Sequence, residues 1–311
     1  MNIPKTVNRL IKFMEATEKD VVDLFLTLPN AISLPYAPGQ PIVFIPGTRK
    51  DRVLLVAHYD TVFDDNKKRI VKQSGTYLES DVKGLGIGAD NRAGCCILWM
   101  MRKLGHSLLI VPDEEVGCLG SGLMASKYSE YLENHSYCMQ FDRRGCDELV
   151  YYDTETPEFE QYMLDNFTGY ASANGSFTDI VELVPAAGVC GVNVSIGFYD
   201  EHTADESLEV CAFIRTAYNT LTLLRKEQPT FPSDYTGWGN WRSAFSYDYG
   251  QDSPGFEDED SLLFHCPYCS IMITDPTEEE LYIYDKDSAQ CGNCSQHVYL
   301  AECTLKESEV L

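Results

Sequence analysis

The stretch VLLVAHYDTV, residues 53–62, sets five apolar residues directly before a histidine and an aspartate spaced two apart. A short unbroken apolar run rich in branched side chains is the pattern of a strand buried on both faces, as in a parallel sheet. Side chains two apart on an extended segment point the same way. His58 and Asp60 can therefore touch one object just beyond the strand's end. Taken alone, the pair also fits a strand-end histidine held by a neighbouring acid, so the rest of the chain has to decide.

Working outward, runs of the same kind recur at 42–45 (IVFI), 107–111 (SLLIV), 137–141 (YCMQF) and 192–199 (VNVSIGFY). Helical spacing lies between them. Ala93, Cys96, Ile97, Met100, Met101 and Leu104 follow the i, i+3, i+4, i+7 pattern across 91–105, and Gly105 is a plausible stop. Residues 119–132, 156–167 and 206–227 also read as helices. Strands alternating with helices predict an α/β fold, a mixed and mostly parallel sheet with helices on both faces. This body is expected to span residues 1–228. Residues 229–261 are irregular, acidic and aromatic, with three prolines and four glycines, and read as a linker or ordered arm. A small module is expected over 262–311.

The chain has 311 residues and a net charge of -24, from 24 Lys and Arg against 48 Asp and Glu. That acidity opposes binding to nucleic acid or to anionic membrane surfaces. No apolar run approaches the roughly 20 residues of a membrane span, and the first twenty residues read as a charged amphipathic helix rather than a secretion signal. A cytoplasmic location is the expectation. Eight of the twelve cysteines are scattered, mostly inside apolar segments, and read as reduced thiols.

Residues of metal-ligand type sit just past the apolar runs. His58 follows VLLVA, Glu114 and Glu115 follow SLLIVPD, Asp142 follows YCMQF, and His202 lies beyond VNVSIGFY. Asp90 instead opens a helix after a glycine-rich turn. In open α/β sheets, sites form outside the carboxyl ends of the strands. Two histidines and three carboxylates exceed the needs of one tetrahedral zinc, and sharing through a bridging carboxylate suits a pair of divalent ions. Glu114 and Glu115 cannot easily both coordinate, which leaves one free as a general base.

In the blocks HYDTV (58–62), GADNRAG (88–94), PDEEVGCLGS (112–121), FDRRG (141–145) and DEHTADES (200–207), the chain resembles the co-catalytic di-zinc exopeptidases. These include aminopeptidases, tripeptidases, glutamate carboxypeptidases and related deacylases. The resemblance implies a zinc-exopeptidase-like fold and a peptide substrate. It implies that His58, Asp90 and Asp142 hold one ion and Asp90, Glu115 and His202 the other. Zinc is the expected metal, with manganese or cobalt as alternatives. It further implies that Asp60 orients His58, and that Glu114 takes a proton from a bridging water and passes it to the leaving amine. Only 59 residues separate Asp142 from His202, too few for the lid domain of some relatives, and the fourth ligand is Asp. Both points favour an aminopeptidase. A deacylase or carboxypeptidase on the same scaffold is the alternative, favoured if Arg92, Arg143 or Arg144 faced the pocket. An inactive metal-bound binding or regulatory protein is the other, against which the intact Glu114 speaks.

Lesser signals complete the reading. The glycines of KGLGIGADNRAG do not fit a dinucleotide loop and are expected to let backbone approach the site near Asp90. Asp179 reads as a turn or cap residue. Glu206 reads either as support for the site or as a first-turn helix acid. His106 and His135 are expected at the surface. Finally, CPYC and CGNC place Cys266, Cys269, Cys291 and Cys294 as the ligands of a structural zinc in a ribbon with a strand at ELYIYD between them. With two Lys against nine acids in 262–311, this ribbon is expected to serve oligomerisation or a protein partner rather than nucleic acid.

Overall fold

A computed structural model of the chain describes residues 3–63, 65–175 and 177–235, together with five short strands further on. The elements in order are α1 (Ile3–Glu15), α2 (Glu18–Leu26), β1 (Ile32–Ala37), β2 (Gln40–Ile45), β3 (Leu54–His58), β4 (Val71–Ser74), β5 (Tyr77–Ser80), α3 (Ala89–Met101), β6 (Ser107–Val111) and α4 (Leu119–Lys127). They continue with β7 (Cys138–Arg143), β8 (Glu148–Val150), α5 (Pro157–Asn166), β9 (Ala171–Ala173), α6 (Asp179–Ala187), β10 (Gly191–Ser195), β11 (Phe198–Tyr199), β12 (Ser207–Glu209) and α7 (Val210–Leu224).

Eight strands form the main sheet in the order β1-β2-β6-β3-β7-β10-β8-β9. The core run β6-β3-β7-β10 is parallel, as the continuous apolar patterns predict. Every residue of β3 and β6 is buried, because helices cover both faces. The chain steps from β3 to β6 on one side and then to β7 on the other, so the order reverses at β3. A reversal of this kind opens a crevice at the carboxyl ends of the strands. His58 is the last residue of β3.

The expected strand over 192–199 is broken in two. β10 belongs to the main sheet, whereas β11 joins β12, β5 and β4 in a second sheet of four strands. Gly197, at φ +94°, makes the turn, and a Cβ there would stand 2.9 Å from Ala212 Cβ and Glu209 O. The helix expected from 206 starts at Val210, because 207–209 pair antiparallel with β5. Between Asp142 and His202 the chain is occupied by β8, α5, β9, α6, β10 and β11, which leaves no room for an inserted domain.

His106 and His135 are corrected from surface to core, each 3% exposed. Val53 N donates to His106 Nδ1 at 3.0 Å, so Nε2 carries the proton and donates to Leu224 O at 2.9 Å. His135 donates from Nδ1 to Leu132 O at 2.8 Å, with Ser107 Oγ 2.8 Å from its Nε2. Both rings are fully paired while neutral, and burial depresses their pKa, that of His135 to about 4. A turn neighbour in sequence says little about depth when the turn leads straight into a central strand.

Phe231, from the segment read as an arm, packs among Tyr137, Phe159 and Tyr162 with ring centroids 5.1–6.1 Å apart. Its backbone pairs with Ser136 and Cys190. Beyond residue 235, strands are described at Phe264–His265, Met272–Ile273, Leu281–Asp285, Ser288–Cys291 and His297–Tyr299. The strand expected at ELYIYD is among them. Cys266, Cys269 and Cys294, three of the four expected zinc ligands, lie outside the described residues, as do Trp238 and Trp241.

Candidate metal centre

The carboxyl ends of β3 and β7, the connections after β6 and β11 and the start of α3 bring the sequence-nominated side chains together. His58 Nε2 lies 3.2 Å from Asp90 Oδ1 and 3.1 Å from Asp142 Oδ1. The second oxygen of Asp90 lies 3.2 Å from His202 Nε2, which is in turn 2.8 Å from Glu115 Oε2. Asp90 thus faces one histidine with each oxygen. His202 reaches it from the β11–β12 hairpin, held at φ +65° in the left-handed region that histidine tolerates better than most residues. Ligand atoms of His58, Asp90 and Glu115, and separately of His58, Glu114 and Asp142, lie within 4.8 Å of one another.

Around these groups sits a layer of hydrogen bonds that fixes them. Asp60 Oδ1 lies 3.2 Å from His58 Nδ1, turning Nε2 toward the two aspartates. The same carboxylate accepts the backbone N–H groups of Glu114 and Glu115 at 3.3 and 3.2 Å. One acid therefore ties the β3 edge to the β6 edge, a link that spacing alone does not reveal. Glu206, 1% exposed, accepts Gly88 N at 2.7 Å and Asp90 N at 2.9 Å. It fastens the backbone at Asp90 to the hairpin that carries His202, so of its two sequence readings the supporting one holds. A Cβ on Gly86 would stand 2.7 Å from Glu206 Oε2, so the glycine-rich turn does serve close backbone approach. Asp142 receives Thr178 Oγ1 at 3.0 Å and Gln140 Nε2 at 3.1 Å. Asp179 opens α6 but is no surface cap. It is fully buried, its Oδ2 accepting Gln140 Nε2 at 3.4 Å and its Oδ1 without a partner.

Electrostatics set the chemistry. Burial and the like charge of Asp142 raise the pKa of Glu114 to about 8. Burial likewise lifts Asp142, Asp179 and Glu206 to about 8. Hydrogen bonds to Asp90 and Glu115 raise His202 to about 11. Burial opposes charge on His58, but the Asp142 and Asp60 carboxylates outweigh it and raise its pKa. Burial likewise acts against ionisation of Asp90, and its bonds to the two histidines reverse the shift and lower its pKa. This is the signature of a carboxylate cluster short of positive charge. Glu115 adds a buried Oε1 without a hydrogen-bond partner. Imidazole nitrogens and carboxylate oxygens are the donors that divalent zinc, manganese and cobalt accept, so the donor set fits such ions.

The signs of these shifts yield a test. Unfolded carboxyl groups titrate near about 4 and unfolded histidine near about 6.5. Between these values and the raised folded ones, the folded metal-free chain binds more protons than the unfolded chain. Stability then falls as pH rises. The metal-free protein is expected to melt lower at about pH 8 than at about pH 5.5, and a divalent cation is expected to raise the melting temperature more at the higher pH. Calorimetry of chelator-treated protein checks both, and a metal-free melt that rises with pH would contradict the clustering.

Three arginines that bear on substrate choice are committed. Arg92 is fully buried and donates to Ala16 O and Asp65 Oδ1 at 2.8 and 3.2 Å. Arg143 bonds Glu148 at 2.6 Å and Arg144 bonds Glu201 at 3.1 Å.

Compared by sequence, the chain matches no protein-family model and no curated protein. Compared by fold, it is similar to the aminopeptidase PepT of Bacillus cereus, with a TM-score of 0.56 at 13% identity over 72% of this chain and 98% of that one. It is also similar to a tripeptidase of Staphylococcus aureus, with a TM-score of 0.57, 13% identity and the same coverage. A third likeness is to the TET peptidase of Pyrococcus horikoshii, which can assemble into a tetrahedron or a large octahedral shell. There the TM-score is 0.50 at 13% identity, over 70% of this chain and 99% of that one. At such identities the likeness establishes the fold alone, an α/β architecture shared with these peptidase structures.

Proposed function

We propose that the chain is a metal-dependent aminopeptidase that removes N-terminal residues from peptides. The observation that carries this reading is Asp90, whose two carboxylate oxygens face His58 and His202 while Glu114 lies close to His58 and Asp142. His58, Asp90 and Asp142 would hold one divalent ion, and Asp90, Glu115 and His202 a second. Such ions supply Lewis-acid polarisation of the scissile carbonyl and acidify water in the site. Glu114, raised in pKa by burial, accepts the proton of the attacking water and returns it to the leaving amine. Asp60 keeps His58 oriented and holds the backbone of both glutamates.

The arginine pairings favour this reading over the carboxypeptidase or deacylase alternative. A substrate carboxylate would have to displace Glu148 or Glu201 from Arg143 or Arg144, and Arg92 is sealed from solvent. The domain arrangement proposed is a catalytic body over 1–228, an arm over 229–261 and a zinc ribbon over 262–311 that mediates homo-oligomerisation or a protein contact.

A digest of a mixed peptide pool, each peptide free or N-acetylated, tests the function by mass spectrometry. Stepwise loss from free N-termini only is the expected result. Release of C-terminal residues or acyl groups would transfer the case to the alternative. Silence with metal bound would favour an inactive binding protein.

A further inference from the structure

Isolated exposed apolar residues are ordinary on a protein surface, whereas several gathered at one place mark a contact. Among the described residues, the large hydrophobics left exposed are Leu26, Val62, Ile70, Tyr77, Val116, Leu119 and Phe177. Four of these seven stand at the candidate centre. Val62 lies four residues past His58, Val116 follows Glu115 directly, Leu119 starts α4 four residues past Glu115, and Phe177 precedes Thr178, which donates to Asp142.

Three of the four converge on one side. Helices α4 and α6 pack against one another, with the buried Asp179 at the start of α6 beside Ser121 in the first turn of α4. Leu119 and Phe177 each sit two residues upstream of that pair, at the same end of adjacent helices. Val116 occupies the loop that leaves Glu115 and returns to α4, where Leu119 N bonds Asp113 O at 3.0 Å. These side chains are 64%, 45% and 41% exposed for Val116, Leu119 and Phe177. Water is a poor partner for them, and a bulky apolar group would cover them. The charges nearby argue in the same direction. Arg143 and Arg144, next to Asp142 in the chain, are each paired with a glutamate, so neither is a free cation for an acidic side chain.

Resting on the aminopeptidase reading, we propose that Val116, Leu119 and Phe177 form an apolar shelf beside the centre that receives the side chain of the substrate's N-terminal residue. Peptides beginning with Leu, Met or Phe are then the preferred class, and those beginning with Asp or Glu are rejected.

The test uses zinc-reconstituted full-length enzyme and a panel of tripeptides X-Ala-Ala and Ala-X-Ala, with X as Leu, Phe, Ala, Lys or Glu. For X-Ala-Ala, kcat/KM is expected to be about 10- to 10²-fold higher for Leu than for Ala, the scale on which an apolar pocket discriminates a few methylenes. Phe177→Ala and Leu119→Ala are each expected to shrink that ratio, and Phe177→Arg to raise the Glu-to-Leu ratio. All three positions are exposed, and thermal melts check that each variant stays folded. A wild-type ratio near one, a preference seen only in the Ala-X-Ala series, or ratios unmoved by all three folded variants would overturn the shelf. Failure to cleave any free N-terminus with metal bound is a separate result. It would sink the aminopeptidase reading and the shelf with it.

Discussion

Glu114→Gln is expected to bind metal as the wild type does and to lose at least about 10²-fold in kcat, the scale set by removing a positioned general base. The substitution is nearly isosteric and leaves untouched the backbone N–H that Asp60 accepts, so the loop between β6 and α4 keeps its anchor. It removes one property, the capacity to take up a proton. That capacity is unusual here, because burial and the neighbouring Asp142 charge lift the acid to about 8. The Cys118 thiol is the side-chain donor on Glu114, reaching Oε1 at 3.6 Å, and a thiol is a weak donor that leaves the carboxylate basic. Metal content measured by mass spectrometry on the same preparation separates a lost base from a lost ion. Full activity in a metal-replete Glu114→Gln protein would remove Glu114 from the mechanism. Loss of metal instead would recast it as a ligand.

The nominated residues were legible because strand ends write themselves into sequence. A buried parallel strand is an unbroken apolar run, and polar side chains at or just past its end face the crevice, which is how His58, Glu114, Glu115 and Asp142 could be picked out. His202 follows an apolar run as well, although it rides a hairpin in the second sheet, and Asp90 is the exception that opens a helix. The second sheet itself was missed. Its strands span two to four residues each, too short for a period of two to register, and one of them was absorbed into a longer apolar run. The supporting contacts were the least visible. Glu206 and Asp90 are 116 residues apart, and Thr178 and Asp142 are 36 apart. No local pattern encodes a hydrogen bond across such a span. The same holds for His106 and His135, whose depth comes from Val53, Leu224, Leu132 and Ser107 closing around them.

Asp90→Ala is expected to abolish paired metal binding and to cost more than any change in the supporting layer. Loss of an outer partner of a ligand typically costs 10- to 100-fold, so at least about 10³-fold in kcat/KM is the expectation for the proposed shared ligand. His58 would retain Asp142 at 3.1 Å and Asp60 at 3.2 Å, and His202 would retain Glu115 at 2.8 Å. What disappears is the group common to both sets. Titration of the metal-free variant with zinc should therefore give two weak, independent half-sites or one ion, against two ions for the wild type. Asp90→Asn makes a sharper comparison, because its amide keeps one oxygen of the pair and approximates the shape. It should preserve the bond from the backbone N–H to Glu206 and bind one ion better than Asp90→Ala does. Two tightly bound ions in Asp90→Ala would show that the histidines are served from elsewhere, and the roles given to Glu115 and Asp142 would have to be redrawn. One ion in the wild type, with Asp90→Ala still active, would instead make this a single-metal centre in which Asp90 does no more than orient His58 and His202.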